Sequence, residues 1–302
     1  MNNSQTEIKH VLLTGADGLL GKQVTAKLHE KGYRVHAIIR TQPDKIIAGV
    51  NYLEIDLGTD IPLSLLPKKI DAIFHLAQSS NFRDFPSMGR DIFAVNAVSV
   101  AQLLDYGYRS GCKHFIYTST GGVYAKIASS IKENSPLSAI SDLGPYLGSK
   151  LCGEIIAQSY LTEMNISIFR PFFIYGPGQK RGMLLPRIFD HILNGELIQL
   201  QGKDGLTINP THVEDAANII LACLENPQNS VLNIAGPEAL SLREIANLIG
   251  QYLGKEPMFE VVDGEAPNMV ADITSLSENL GRPNRALSQY LSDLEPSDIR
   301  AL

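Results

Sequence analysis

Tyr146 and Lys150 stand four residues apart in "GPYLGSK", a spacing that puts a phenol and an ammonium on one face of a helix. Such a pair is either a surface contact or a phenol placed to move a proton, and the spacing alone leaves both open. Gly15, Gly18 and Gly21 in "TGADGLLG" form a second candidate, spaced G-x-x-G-x-x-G between an apolar run and an amphipathic one. The first glycine permits a tight turn and the second lets backbone approach a pyrophosphate. The third allows close helix–strand packing. The helix that follows offers unpaired N–H groups and a positive dipole end to phosphates. In this context a dinucleotide site is favoured over a plain glycine turn.

The surrounding elements must position these groups. Apolar runs at 10–15, 34–40, 51–56, 71–77, 113–119 and 166–170 read as strands. Amphipathic segments separate them: Leu20, Val24 and Leu28 repeat at i, i+4, i+8. A helix is predicted from about Ser87 to Arg109, stopping at Gly111, and another begins near Tyr146. Near-continuous apolar strands alternating with helices imply a parallel sheet covered on both faces. After Arg170 the rhythm changes to the Pro/Gly-broken "PFFIYGPGQKRG", then a helix over about 183–193 and the strand "LIQL". "THVEDAANIILACLEN" is predicted helical and "VLNIAG" a strand. Ser241 and Glu244 open a further helix in capping-box spacing. The expected domains are 1–170 plus about 208–235 for the dinucleotide, and about 171–207 plus 236–302 for a smaller, discontinuous α/β unit.

The second strand ends Ile38-Ile39-Arg40, with Lys45 soon after and no acid at its tip. An NAD-preferring site usually carries an acid there for the ribose 2′-hydroxyl. An arginine can instead receive a 2′-phosphate as a bidentate partner, which favours NADP. Stacking of Arg40 on the adenine would suit either cofactor.

The 302 residues suffice for two domains, and 44% hydrophobic with 19% charged content is ordinary for a soluble globular chain. A net charge of −6 without a basic block argues against nucleic acid or an anionic membrane as main partner. No apolar run approaches the roughly 20 residues of a membrane span, and the polar N-terminus has no signal-peptide core. Cys112, Cys152 and Cys223 are odd in number and far apart, which suits a reducing compartment and no metal site. The chain reads as cytoplasmic.

Several landmarks in order make the chain resemble the extended short-chain dehydrogenase/reductase family of sugar-nucleotide epimerases, dehydratases and ketoreductases. They are "TGADGLLG", "IDL" with Asp56, "HLA" at 75–77, "VN" with Asn96, "YTSTGGVY", "PYLGSK", "FRPFFIYGPG", "HVEDAA" and "LNIAG". The resemblance covers nearly the whole chain and implies a Rossmann-type doubly wound parallel sheet. It implies cofactor contacts from Gly15, Gly18, Leu19, Leu20, Arg40, Asp56, Leu57, Leu76, Ala77, Asn96, Tyr146 and Lys150. Tyr146 and Lys150 would face the nicotinamide, with Lys150 holding its ribose. The nearby ammonium, together with an oxidised nicotinamide, would lower the phenol pKa from its usual value of about 10. Tyr146 would then exchange a proton with a sugar oxygen that Thr120 orients. Ser119 could substitute for Thr120, and His75 reads as a packed strand residue.

Departures from the family pattern narrow the reaction. Gly121 and Gly122 stand where dehydratases place acids, which disfavours a 4,6-dehydratase. Ala125 replaces the usual glycine after Val-Tyr. Phe173 and Ile208 replace an Asn and an Arg that bind the substrate pyrophosphate in many relatives. Gln78, Thr120, Phe173 and Arg187 are the candidate substrate residues; Lys180, Arg181 and Arg187 could supply the missing charge or form a solvated face. The leading expectation is an NAD(P)-dependent ketoreductase of a keto-deoxy sugar, nucleotide-linked. A C4 epimerase with tightly bound NAD is the alternative, and a dinucleotide-sensing protein is a third. Relatives imply a homodimer through helices at about 87–109 and 146–163.

Overall fold

The computed structural model describes residues 10–43 and 45–294. Its strands in the first half are β1 (His10–Thr14), β2 (Arg34–Ile39), β3 (Asn51–Glu54), β4 (Ala72–His75), β5 (His114–Thr118) and β6 (Asn165–Pro171). Short strands β7 (Ile174–Tyr175), β8 (Leu197–Gln201), β9 (Thr207–Ile208) and β10 (Thr211–His212) follow, and then β11 (Ser230–Ile234). Seven of these form one sheet in the order β11-β6-β5-β4-β1-β2-β3, with parallel pairing from β6 across to β3. The chain therefore builds outward from β1 in one direction, then crosses back to β4 and builds the other way. β1 and β4 are neighbours, and the crevice at their carboxyl ends is the switch point where ligands bind in such sheets.

The sheet is apolar because both faces are covered. β4 and β5 are buried at every residue. Leu12, Ile73, Leu103, Phe115 and Ile168 belong to one continuous core. Helix α1 (Leu19–Glu30) buries Gly21, Val24, Thr25 and Leu28. The segment expected as one helix over 87–109 is helical in three parts: α2 (Gly89–Phe93), a π-turn over Ala94–Val98, and α3 (Ser99–Ser110). Gly111 ends α3 in the left-handed conformation at φ 79°. Helix α4 (Ile140–Gln158) begins six residues before Tyr146 but breaks at Gly144 (φ 62°, ψ −178°), just before Pro145. Proline fits the first position of the restarted helix, where its missing N–H costs nothing.

Among the described residues two compact units emerge: 10–123, 139–169 and 220–231, and then 124–138, 170–219 and 232–294. Residues 124–138 and 208–219, expected with the first domain, thus cluster with the second unit. The reason is polar. The Tyr124 hydroxyl meets Asn233 Oδ1 at 2.8 Å and Arg170 Nη1 at 2.7 Å, while the Arg170 guanidinium lies 4.7 Å from the Tyr124 ring centroid. Asn209 exchanges two hydrogen bonds with the backbone of Ala271, holding 208–219 to the same unit.

Helix α5 (Leu184–Asn194) lies in the second unit, as does helix α6 (Val213–Ala222) up to Ile219; β12 (Leu240–Ser241) and helix α7 (Leu242–Leu253) follow in that unit. The expected capping box is present, with Ser241 Oγ accepting from Glu244 N and Glu244 Oε2 accepting from Ser241 N. β13 (Met258–Val262) pairs in parallel with β8, and β14 (Asn268–Met269) with β9. Helices α8 (Thr274–Asn279) and α9 (Leu287–Asp293) complete the unit. Phe189, Leu200, Ile245 and Leu287 lie in its own core. Among the described residues no helix is long and apolar enough to cross a membrane.

Candidate active site

The strand tips of the first unit bring the site together. Gly15 follows β1 with φ 72°, and a Cβ there would lie 2.9 Å from Ala77 Cα and N. Only glycine lets the turn pass this close to the chain leaving β4. Gly18 caps α1 without a side-chain bond, and no acid sits in the helix's first turn. A Cβ on Gly18 would meet only the Gly15 carbonyl, at 3.1 Å. The third glycine differs from its expected role. A Cβ on Gly21 would overlap the Gly15 carbonyl group, with its carbon 2.7 Å away. Gly21 therefore permits the loop itself to close over the helix start. Small residues, an uncapped positive helix end and a tight backbone turn suit a pyrophosphate, so these residues fit a dinucleotide.

The other expected cofactor residues surround this turn. Leu19 and Leu20 open α1, half-buried. Arg40 follows β2 directly and is exposed, its Nη1 donating to Ser80 Oγ at 3.1 Å. Asp56 and Leu57 follow β3, and the Asp56 carboxylate accepts from Gly58 N at 2.9 Å. Leu76 and Ala77 leave β4 beside Gly15. His75, completely buried, is indeed a packing residue: its ring bonds Thr14 Oγ1 at 2.8 Å and Ser99 Oγ at 3.3 Å. Burial, and secondarily the Lys150 charge, push its pKa down to about 3.

Tyr146 and Lys150 project from α4. The Tyr146 hydroxyl donates to Gln78 Oε1 at 3.1 Å, and its ring packs on Phe82 with centroids 5.0 Å apart. The Thr120 hydroxyl interacts with the phenol, and itself accepts from Gly122 N at 3.2 Å. Lys150 is buried, its Nζ 4.8 Å from the Tyr117 ring centroid. Burial pushes Lys150 down to about 7, opposed by the Glu154 carboxylate one turn on. The expected depression of the Tyr146 pKa calls for an oxidised nicotinamide beside the Lys150 ammonium; the protein alone gives the opposite direction. Burial raises the phenol, and only Thr120 opposes it.

Asn96 sits in the π-turn with both ends of its amide engaged. Its Oδ1 accepts from Ser79 N at 2.9 Å, and its Nδ2 donates to Ser149 Oγ at 3.0 Å. Ser149 in turn donates to the Tyr146 carbonyl at 2.8 Å. Asn96 therefore ties the chain after β4 to the first turn of α4 beyond its break at Gly144. Ser79, Asn81, Phe82 and Asp91 complete this assembly, with Asp91 accepting from Ser79 Oγ and from Asn81 Nδ2 at 3.3 Å. They lie outside the glycine and Tyr–Lys spacings. The polar run "QSSN" directly after an apolar strand was the available signal, because ligands collect at such carboxyl ends.

Phe173 and Arg187 belong to the second unit. Phe173 has φ 42°, the one non-glycine residue with positive φ among those described. Its carbonyl accepts from Thr211 N at 3.1 Å, which holds the strained turn on β10. Arg187 is exposed in the first turn of α5, and Lys180 is exposed before it. Arg181 is committed to Asp190, with Nε 3.0 Å from Oδ2. Ile208 is buried in the core of this unit. Among the described residues no group of three His, Cys, Asp or Glu could hold a metal.

Comparison with known proteins agrees with this geometry. The model of the NAD dependent epimerase/dehydratase family matches residues 11–235. A dTDP-4-dehydro-6-deoxy-D-allose reductase from a Streptomyces species is 25% identical over 314 residues, spanning 96% of this chain and 93% of its own. A UDP-glucuronate 4-epimerase from Thermodesulfobacterium geofontis is 23% identical over 272 residues, 84% of each chain. The structure of UDP-glucuronic acid 4-epimerase from Bacillus cereus with UDP-glucuronic acid and NAD matches at TM-score 0.83 and 26% identity, over 96% of this chain and 99% of that one. With the family model spanning most of its length, the chain is an enzyme that belongs to the NAD dependent epimerase/dehydratase family, within the extended short-chain dehydrogenase/reductases.

Proposed function

We propose that this enzyme is a ketoreductase acting on a keto-deoxy sugar carried by a nucleotide, with NADPH as its preferred cofactor. The observation that carries the reading is the Tyr146 hydroxyl, which stands beside Thr120 and donates a hydrogen bond to the carboxamide oxygen of Gln78 at 3.1 Å. Ketone reduction begins from a protonated donor, whereas alcohol oxidation must begin from the phenolate. When bound, the nicotinamide cofactor supplies the hydride. Tyr146 gives its proton to the carbonyl oxygen as that oxygen becomes a hydroxyl, and Thr120 orients the same oxygen. Gly121 and Gly122 leave no acid for water loss. Arg40, exposed at the β2 tip, is the group for a 2′-phosphate, and Arg187 is the candidate for a substrate phosphate. The Streptomyces reductase at 25% identity supports this chemistry.

A C4 epimerase with tightly held NAD is the second reading, favoured by the Bacillus cereus epimerase whose structure holds NAD and UDP-glucuronic acid. It would use the same Thr120, Tyr146 and Lys150. Denaturing the purified protein and identifying released nucleotides by mass spectrometry separates the two. Stoichiometric NAD would overturn the reductase. A site that releases none and then binds NADPH more tightly than NADH would support it, and Arg40→Ser should abolish that preference.

A further inference from the structure

The hydrogen bonds around Tyr146 have a direction. Gly122 N–H donates to Thr120 Oγ1, so the Thr120 proton is available to another oxygen. Thr120 stands beside the phenol, and the phenol's own proton is donated to Gln78 Oε1 at 3.1 Å. The acceptor is a carboxamide oxygen. That oxygen is a neutral sp² acceptor, chemically the same kind of atom as the carbonyl oxygen of a ketone. Gln78 is placed by the turn after β4, where its neighbour Ser79 is fixed by Asn96 and Asp91.

We infer that Gln78 is a positioning residue: its Oε1 is the resting acceptor of the Tyr146 proton, aims that proton, and yields its place to the substrate carbonyl oxygen. The inference rests on the proton-donor role assigned to Tyr146 above. It makes Gln78 a determinant of the phenol's protonation before substrate binds, since an acceptor at this position stabilises the phenol over the phenolate. The charged and titratable groups around the phenol are Lys150 on its own helix, with Glu154 behind it, and Tyr117 on β5. Arg83 in the chain after β4 lies over the Phe82 ring that packs on Tyr146.

The test is a titration of Tyr146 by NMR in protein carrying tyrosine isotope-labelled at Cζ, assigned with Tyr146→Phe. Gln78→Leu removes the acceptor, so the phenol pKa is expected to fall by about half to one unit, the scale of one net hydrogen bond. Gln78→Glu supplies a stronger acceptor and should raise it. A residue that only fills space would give the opposite sign in Gln78→Leu, because added apolar surface raises a phenol. An unchanged or raised value in Gln78→Leu overturns the inference. Should that variant not fold, an unchanged or lowered value in Gln78→Glu overturns it equally. The titration needs neither sugar nor cofactor, so a failed reductase assignment would leave its result standing. Where turnover is measurable, the alkaline limb of kcat/KM for ketone reduction should move with the phenol in both variants.

Discussion

Lys150 Nζ lies 4.8 Å from the centroid of the Tyr117 ring, and the lysine is only 1% exposed. A cation so placed is held by a ring face and by Glu154, while burial favours its neutral form down to a pKa of about 7. Between about pH 7 and the ordinary lysine value of 10.5 the unfolded chain binds a proton that the native state lacks. Stability from this group therefore rises with pH across that window. Lys150→Met should remove the slope. Melting temperatures of parent and variant, followed from pH 6.5 upward, should show the parent gaining on the variant as pH rises; parallel curves would mean that Lys150 titrates normally.

Tyr146→Phe removes the proton donor while keeping the ring on Phe82. Turnover of a keto-sugar nucleotide should fall by about 10²–10⁴. Thermal stability should change by no more than about 1–2 kcal/mol, the scale of the lost hydrogen bonds. Full-rate turnover in this variant would take Tyr146 out of the chemistry without touching the fold.

The three loop glycines should fail in different ways. Gly21→Ala places a methyl group on the Gly15 carbonyl, so it should destabilise the protein by several kcal/mol. Gly18→Ala meets only one atom, at 3.1 Å, and should fold while binding the dinucleotide at least tenfold more weakly. Thermal melts paired with cofactor fluorescence titration check both; equal melting temperatures for the two variants would contradict the geometry.

Phe173 carries backbone strain, with φ 42° in a region where asparagine is at ease and an aromatic residue is not. Its partly buried ring also packs on the core of the second unit. Comparing Phe173→Asn with Phe173→Leu isolates the backbone: asparagine should be the more stable variant by about 1 kcal/mol despite its polarity. Denaturant unfolding measures the difference.

Much of the first unit was legible because buried parallel strands are written as uninterrupted apolar runs. β4 and β5 could be read directly from "DAIFHLA" and "KHFIYTS". The switch point, the glycine turn and the Tyr146–Lys150 spacing followed from that order. The ionisation of the pair was not legible, since spacing places an ammonium near a phenol but does not reveal that Lys150 is buried. The division of the chain at Tyr124 was hidden for a similar reason. Tyr124 is held by Asn233 and Arg170, partners 109 and 46 residues away. In the second unit, strands such as β7 and β9 are two residues long, too short for any alternation to register.

The π-turn at Ala94–Val98 puts the helices on either side of it out of phase. It holds one residue more than a regular turn, so the stretch before it and the stretch after it are indexed separately. Asp91 keeps its register with Ser79, and Leu103 and Leu104 keep theirs with the sheet. Removing one residue from this segment would rewind the rod by about 100° and bring one set of faces round at the expense of the other. Segment length here is thus as much a part of the site as any side chain: natural or designed variants can change the residues of this turn other than Asn96, but not their number.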